Sequence, residues 1–557
     1  MSDPPARLVR TLVGVVVTVL VASGCASSTA PSPASASAAA ASTGSPVGSG
    51  VRSSGDAGSG APGSPPPNGS PGSSVTGQPL VPLAVVTGFA NDRIDSVTTA
   101  GLAAQLHAGT LLVPCGAQAA VAAALGVRAG SAGPPGSGGA GGAPPGCLAA
   151  DAMPAHLPAS SKALALLPPG LVTAALRVVP IGNADLFGET PARTTPYPLE
   201  IPAPAGWPTA WTAYDPNAVR VVLTTGVNCP DRGVSYQTNV LGKGWDWLLQ
   251  AGTARYTGRH WDERFGWWVV DAVRTDHAGA VWSLIRNADV AVSDFECSVT
   301  RHFVQHDSGT LFSIDPRVAP LMAKAGFDVA TIAADHNTNP GLGAIGETVD
   351  LFRANGIAPV GGGRTLTEAL QPAVLDVHGV RFGFVGFDAI GGSAYATADS
   401  PGVAPLTAAT ARTAIAAARK AGAQVVFALP QRSSVEYRAA FTGFQRSLIA
   451  ELEAAGADEI IGADFHWAGA ISITPGGRSG DRFVTASQGN FWFGQNWSRQ
   501  TEEGVMTMLT FVGTRLAQVR LIPTVVLDDA QPNLIDPATD GQFVLHQVLS
   551  VSRLLEP

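Results

Sequence analysis

Four short stretches carry acids, amides and imidazoles where an apolar run gives way to polar residues: Asn228 with Asp231 and Arg232, Asp294 with Glu296, Asp335 with His336, and Asp464 with His466. Carboxylates and imidazoles that are scattered in sequence and meet only on folding are typical of a hydrolytic metal site. A lone Asp after a strand is ordinarily a helix cap or a turn residue. Its recurrence after successive strands favours a shared site. His302 and His306 share a helical spacing, but the Asp307 and Gly309 that follow suit a surface loop better than a metal pair.

The elements that must position these groups show as apolar runs. Strands are expected at Val219–Thr225, Val290–Phe295, Val329–Ala333, Val374–Phe387, Val425–Leu429, Ile460–Ile461 and Phe483–Ala486. Helical periodicity lies between several of them, at Val318–Ala325, Ile345–Asn355, Thr407–Ala421 and Tyr437–Ala455. Alternating strands and helices imply a layered α/β sheet, which takes ligands at the C-terminal ends of its strands. Val505–Val526, turning at Gly513 and Thr514, is expected as a hairpin at the sheet's edge. This larger region spans residues 215–557. Residues 79–204 read as a smaller α/β unit with strands at Leu80–Thr87, Thr110–Pro114 and Leu176–Pro180, similar in pattern to half of a periplasmic binding protein.

The N-terminus sets the compartment. Arg7 and Arg10 precede an apolar run, Leu12–Ala22, too short to span a bilayer but suited to a signal peptide over residues 1–24. Ala22, Ser23 and Gly24 before Cys25 are the small residues that lipoprotein processing requires, so Cys25 is the expected lipidation site of an extracytoplasmic, membrane-tethered protein. An ordinary cleaved signal with an incidental Cys and an uncleaved anchor are the alternatives. Residues 25–78 are nearly all Ser, Ala, Gly, Pro and Thr and have nothing to bury, as in a disordered tether. The other four cysteines permit three pairings in an oxidising compartment. Cys115 with Cys147 and Cys229 with Cys297 keeps each bridge within one apparent domain. A net charge of −8, with no basic block, argues against nucleic acid as a partner.

The segments Ser293–Glu296, Asp335–His336, Leu351–Gly363 (LFRANGIAPVGGG), Gly456–Gly469 (GADEIIGADFHWAG) and Ser487–Phe491 resemble, in order, the CapA family of bacterial poly-γ-glutamate capsule synthesis, which has a calcineurin-like metallophosphoesterase fold. The resemblance implies a layered sheet sandwich of the metallophosphoesterase type. It also implies departures. Val227 stands where the family has a ligating Asp, Ala334–Asp335–His336 replaces Asn-Asn-His, the stretch ending in Glu436 and Tyr437 lacks its His, and Asp464–Phe465–His466 replaces His-Pro-His.

Two expectations follow from the resemblance. In one, Glu296, Asp335, Asp464 and His466, with Asn228, form an oxygen-rich site suited to Mg²⁺ or Mn²⁺ rather than Zn²⁺. His336 then serves as general acid and Arg232 stabilises an anionic substrate. In the other, no metal is held and the cleft only binds. A Cys229–Cys297 bridge at neighbouring strand mouths would then partly replace a metal as a staple. Asn490, Glu436, Trp267 and Trp268 are the expected substrate contacts. The Trp-rich insert Trp245–Trp282 is either a stacking platform or a local aromatic core. The expected partner is an anionic envelope polymer, or the machinery that makes it, reached from a lipid anchor. The rivals are a solute- or polymer-binding lipoprotein with a decayed metal site and a structural tether.

Overall fold

The computed structural model describes residues 79–127, 147–431, 436–463 and 465–552. The signal peptide, Cys25, the tether, residues 128–146 and Asp464 lie outside the described residues. Residues Thr76–Pro557 form one compact unit.

The unit is built on two sheets packed face to face. The larger, ten-stranded sheet runs in the order Ala358–Val360, Val329–Thr331, Val290–Phe295, Val219–Asn228, Glu503–Val512, Arg515–Leu527, Gln531–Ile535, Thr253–Asp262, Trp267–Arg274, with Asn490–Trp492 also pairing with Val219–Asn228. Its first four strands are parallel. Helices Ala280–Asn287, Val318–Ala325 and Gly343–Ala354 lie in the three crossovers between them, as parallel neighbours require. The smaller sheet runs Ala373–Val377, Val380–Asp388, Val425–Gln431, Glu459–Ile461, Gly480–Thr485, Ile471–Gly477. Its crossovers are Ala408–Lys420 and Gly443–Ala455, each opened by a capping box, at Thr407 with Thr410 and at Thr442 with Gln445.

Strand alternation sends successive side chains to opposite faces. Val222, Val290, Val292 and Leu509 of the larger sheet meet Phe384, Phe427, Leu429 and Phe483 of the smaller in one buried cluster. Their neighbours Val221, Leu223, Ala291 and Phe295 turn outward against Val318, Met322 and Phe352 of the covering helices. Val385, Val426, Ile460 and Val484 do the same beneath Ile415 and Leu452. The result is the α/β/β/α sandwich expected from the sequence.

Three differences have physical reasons. The Val374–Phe387 run is two strands joined by a tight turn at His378 and Gly379, both with positive φ (48° and 85°). Burial of the second strand makes its apolar run continuous across the turn. The Glu503–Val512/Arg515–Leu527 hairpin lies in mid-sheet instead of at an edge, because the Trp-rich insert extends the sheet beyond it. Thr110–Pro114 makes only single bridges, at Leu112 and Pro114. Residues 79–204 contribute a three-stranded antiparallel sheet, Ala165–Leu167, Ala84–Gly88, Leu176–Val179. They join the rest through a buried Arg193–Asp289 ion pair at 3.0 Å and a Thr510 hydroxyl bonded to the Phe187 carbonyl at 2.7 Å.

Among the described residues, no helix is long and apolar enough to cross a membrane. Cys115 bonds to Cys147 and Cys229 to Cys297. Two disulfides belong to an oxidising, extracytoplasmic compartment.

Candidate metal centre

The C-terminal ends of parallel strands from both sheets converge. Glu296 follows Val290–Phe295, Asp335 and His336 follow Val329–Thr331, and Gln431 ends Val425–Gln431 of the facing sheet. Glu296, Asp335 and His336 offer ligand atoms that all lie within 4.8 Å of one another. His336 Nε2 is 3.6 Å from Asp335 Oδ2, and both side chains are about one-fifth exposed (22% and 18%), so solvent reaches them. Gln431 joins the acids across the two sheets. Its Nε2 donates to Glu296 Oε1 and to Asp335 Oδ1, both at 3.1 Å, while its Oε1 accepts the Asp335 amide at 2.6 Å. A backbone N–H can only donate, so that bond fixes which end of the glutamine amide faces the acids.

Both histidines of the site are oriented by an asparagine. Asn339 Oδ1 accepts the Phe312 amide at 3.1 Å and therefore also accepts from His336 Nδ1 at 3.0 Å. Asn490 directs its amide nitrogen to the Thr501 carbonyl (2.9 Å) and Gln495 (3.1 Å), leaving Oδ1 to accept from His466 Nδ1 at 2.9 Å. Each ring is thus anchored through its Nδ1–H on an asparagine oxygen, the way outer hydrogen bonds orient imidazole ligands. Burial lowers the His466 pKa, so the neutral form is favoured. Asn490 is fully buried. It is the support of His466 and not the substrate contact expected from sequence.

The first strand ends without an acid. A Cβ on Gly226 would sit 2.1 Å from the Gly489 carbonyl oxygen, so only glycine permits this close approach. The register shifts there, Val227 turns into the core, and Asn228 follows. The Asn228 amide nitrogen donates to Thr225 Oγ1, the Gly226 carbonyl and the Asp294 carbonyl at 3.0, 2.8 and 3.2 Å. Its buried Oδ1 has no hydrogen-bond partner among the described residues. The Cys229–Cys297 bridge, with Cα atoms 5.3 Å apart, ties the residue after Asn228 to the residue after Glu296. Asp231 is consumed internally by His306 Nδ1 (2.7 Å) and the amides of Arg232, His306 and Ser313.

The electrostatics suit a cation. Burial, then the Asp335 charge, pushes the Asp294 carboxyl up to about 7. Asp388, which ends the neighbouring strand, is pushed up to about 6, chiefly by burial and further by Asp335. Two carboxylates and an imidazole gathered in this way are a donor set that suits a divalent cation. Among the described residues there is no second cluster of this type.

An aromatic and cationic wall adjoins the acids. The Arg232 guanidinium lies over Phe312 (4.7 Å), Phe493 (5.2 Å) and Trp497 (5.9 Å), and its pKa is lowered, mainly by burial. The same Phe312 ring meets His336 edge-on at 4.7 Å. Tyr437 stacks on His466 at 6.0 Å and touches Trp467 and Trp497. Its hydroxyl pKa is raised by burial and then by Glu436, itself exposed. Arg232, Tyr437 and His466 all have positive φ (43°, 57° and 55°). Such backbone strain tends to concentrate at functional sites.

The Trp-rich insert divides. Trp282 is fully buried, and Trp245 and Trp247 pack against the same helical core. Trp267, 43% exposed, reaches Trp467 at 6.0 Å, and Phe265 reaches Trp497 at 6.0 Å. Trp268 instead pairs with Trp261 at 5.7 Å on the opposite face of the hairpin and does not join Trp267 at the site. Sequence reasoning missed Gln431, Asn339, Asp388 and Phe312. The Asp at the end of an apolar strand was a usable signal for Asp388.

Residues 249–495 match the family model described as bacterial capsule synthesis protein PGA_cap. The chain is similar to the capsule biosynthesis protein CapA of Bacillus anthracis, with 24% identity over 299 residues covering 52% of this chain and 70% of that protein. Among solved structures it is similar to the NAD nucleotidase of Haemophilus influenzae (TM-score 0.32, 10% identity, 60% of this chain) and spans about three-fifths of that protein's length (62%). It is also similar to the calcineurin-like phosphoesterase YfkN of Bacillus subtilis (TM-score 0.27, 13% identity, 59% of this chain and 97% of that one). The match over residues 249–495 and the similarity to CapA support a CapA-type assignment for this part of the chain.

Proposed function

We propose that this protein binds an anionic cell-envelope polymer, poly-γ-glutamate or a capsule-related chain, and acts on it by metal-assisted hydrolysis or transfer at a centre holding one divalent cation. The observation that carries this reading is the meeting of Glu296, Asp335 and His336 within 4.8 Å of one another, beside an Arg232 guanidinium held by three aromatic rings. When bound, Mg²⁺ or Mn²⁺ supplies Lewis-acid polarisation of a carbonyl or phosphoryl oxygen. Glu296 and Asp335 hold it, and the Gln431 amide keeps the two carboxylates in register. His336 presents Nε2 to the same point with Nδ1–H anchored on Asn339, and Asn228 adds a neutral oxygen. Arg232 meets the negative charge of the polymer, and Trp267, Trp467 and Tyr437 cover its backbone. Lipidation at Cys25 keeps the site at the membrane where the polymer emerges.

A second reading, a binding lipoprotein without turnover, is favoured by Gln431. Its two N–H groups bridge the acids in the way a cation would, and Val227 removes a family ligand. The chain length of poly-γ-glutamate incubated with the full-length protein separates the two. Shortening or transfer in Mn²⁺, abolished by chelator and by Glu296→Gln, supports the first. Saturable binding with unchanged chain length in every metal supports the second.

A further inference from the structure

We propose that the far face of the 253–274 hairpin is a second polyanion-binding site, taking carboxylate or phosphate groups of a linear chain between two arginines backed by aromatic rings. That the natural chain is the polymer handled at the metal centre rests on the reading above; the site itself rests on its own residues.

The hairpin is two-faced because adjacent strand residues point oppositely. Trp267 turns toward Trp467 beside His466. Trp268 turns away, and the Arg259 guanidinium lies 4.7 Å from its ring. A bulge re-aims the other strand. The ladder shifts register between Tyr256 and Gly258, and one extra residue brings Tyr256 and Arg259, three apart, to the same side. Both line a cavity of about 350 Å³ with Trp268, Arg499, Gln500 and Phe543, a volume within the range of ligand sites.

The arginines are built in. The Arg499 guanidinium lies 4.7 Å from the Phe543 ring, and Tyr256 stacks on that ring at 6.4 Å. Glu503 secures both partners, accepting the Tyr256 hydroxyl at 2.7 Å and pairing with Arg499 Nε at 3.2 Å. Asp540, which also borders the cavity, accepts the Tyr256 amide at 2.7 Å. Arg259 has no acidic partner among the described residues. Guanidinium groups stacked by their faces keep their N–H edges free for bidentate contact with carboxylate or phosphate. Trp268, 47% exposed, offers its ring to the atoms between successive charges.

The test is binding of poly-γ-glutamate, inorganic polyphosphate and uncharged dextran to the full-length protein, measured calorimetrically in chelator so that no metal centre contributes. Saturable binding of at least one polyanion but not of dextran is expected. It should weaken about tenfold in Arg259→Gln, the size of one charge-assisted hydrogen-bonding contact, and also in Trp268→Ala, with retained metal unchanged in both. Arg259→Lys keeps the charge without the planar stack and should fall between. Both side chains lie at the surface, so the variants fold, and matching melting curves verify it. Preference for polyglutamate or polyphosphate identifies the group recognised. Equal binding of dextran, unaltered affinity in Arg259→Gln, or no polyanion binding without metal would overturn the second site. Loss of metal-dependent turnover with chelator-insensitive binding intact would overturn only the metal-centre reading.

Discussion

Gln431 and Asp335 exchange hydrogen bonds across the two sheets. The Asp335 amide donates to Gln431 Oε1 at 2.6 Å and Gln431 Nε2 returns a bond to Asp335 Oδ1 at 3.1 Å, its other hydrogen going to Glu296. One buried side chain therefore holds both carboxylates and the two strand ends that carry them.

Replacing Gln431 with Leu should destabilise the protein by about 1–3 kcal/mol, the cost of leaving buried polar groups unpaired, read as a lower urea midpoint. Gln431→Glu should be worse in chelator and largely restored by Mn²⁺, because a third carboxylate needs the cation that the amide had partly replaced. Equal stability of Gln431→Glu with and without Mn²⁺ would show that the acids do not share an ion.

His466 should carry its proton on Nδ1 and a bare Nε2 at neutral pH, read from imidazole nitrogen shifts. Asn490→Leu removes the acceptor at 2.9 Å and should mix the tautomers. A wild-type ring protonated on Nε2 would contradict the orientation argued for the site.

Removing the Cys229–Cys297 bridge with paired serines should cost about 4 kcal/mol by loop-closure entropy for a separation of 68 residues. The denaturation midpoint should fall, and metal retention should fall with it, since Asn228 and Glu296 adjoin the two cysteines. An unchanged midpoint would remove the staple from the account.

Stability should decline as pH rises from the ordinary glutamate range. Burial, then the Asp529 and Glu503 charges, pushes Glu502 up to about 9, and Glu503 is pushed up to about 7, chiefly by burial. With a folded pKa above the unfolded one, the native state keeps protons that the unfolded chain has lost. The stabilisation is complete below the unfolded value near 4.5 and is lost as pH climbs through the folded values. Glu502→Gln should flatten the decline in melting temperature between pH 5 and about 9. A wild-type melting temperature that rises across this interval would be the wrong sign.

The sequence announced Glu296, Asp335 and His336 because each follows an apolar run whose alternation marks a buried strand and whose end marks the sheet edge. It could not announce Gln431, since an amide at a strand end has no special meaning until a second sheet brings acids opposite it. Asn339 was hidden for the same reason, and the sequence marked Asn490 without its role as the support of His466. Trp267 and Trp268 were read together because they are adjacent, yet strand alternation separates them. The Val374–Phe387 turn was masked because its second strand is buried on both faces and shows no polar alternation.

The metal content of the full chain, purified without chelator and dialysed against Mg²⁺, Mn²⁺ and Zn²⁺ in turn, tests the central claim most directly. Near-stoichiometric retention of a single Mg²⁺ or Mn²⁺ ion is expected, lost in Asp335→Ala and in Glu296→Gln. A wild-type protein that retains no metal, or whose retained metal is unaffected by both substitutions, would contradict it.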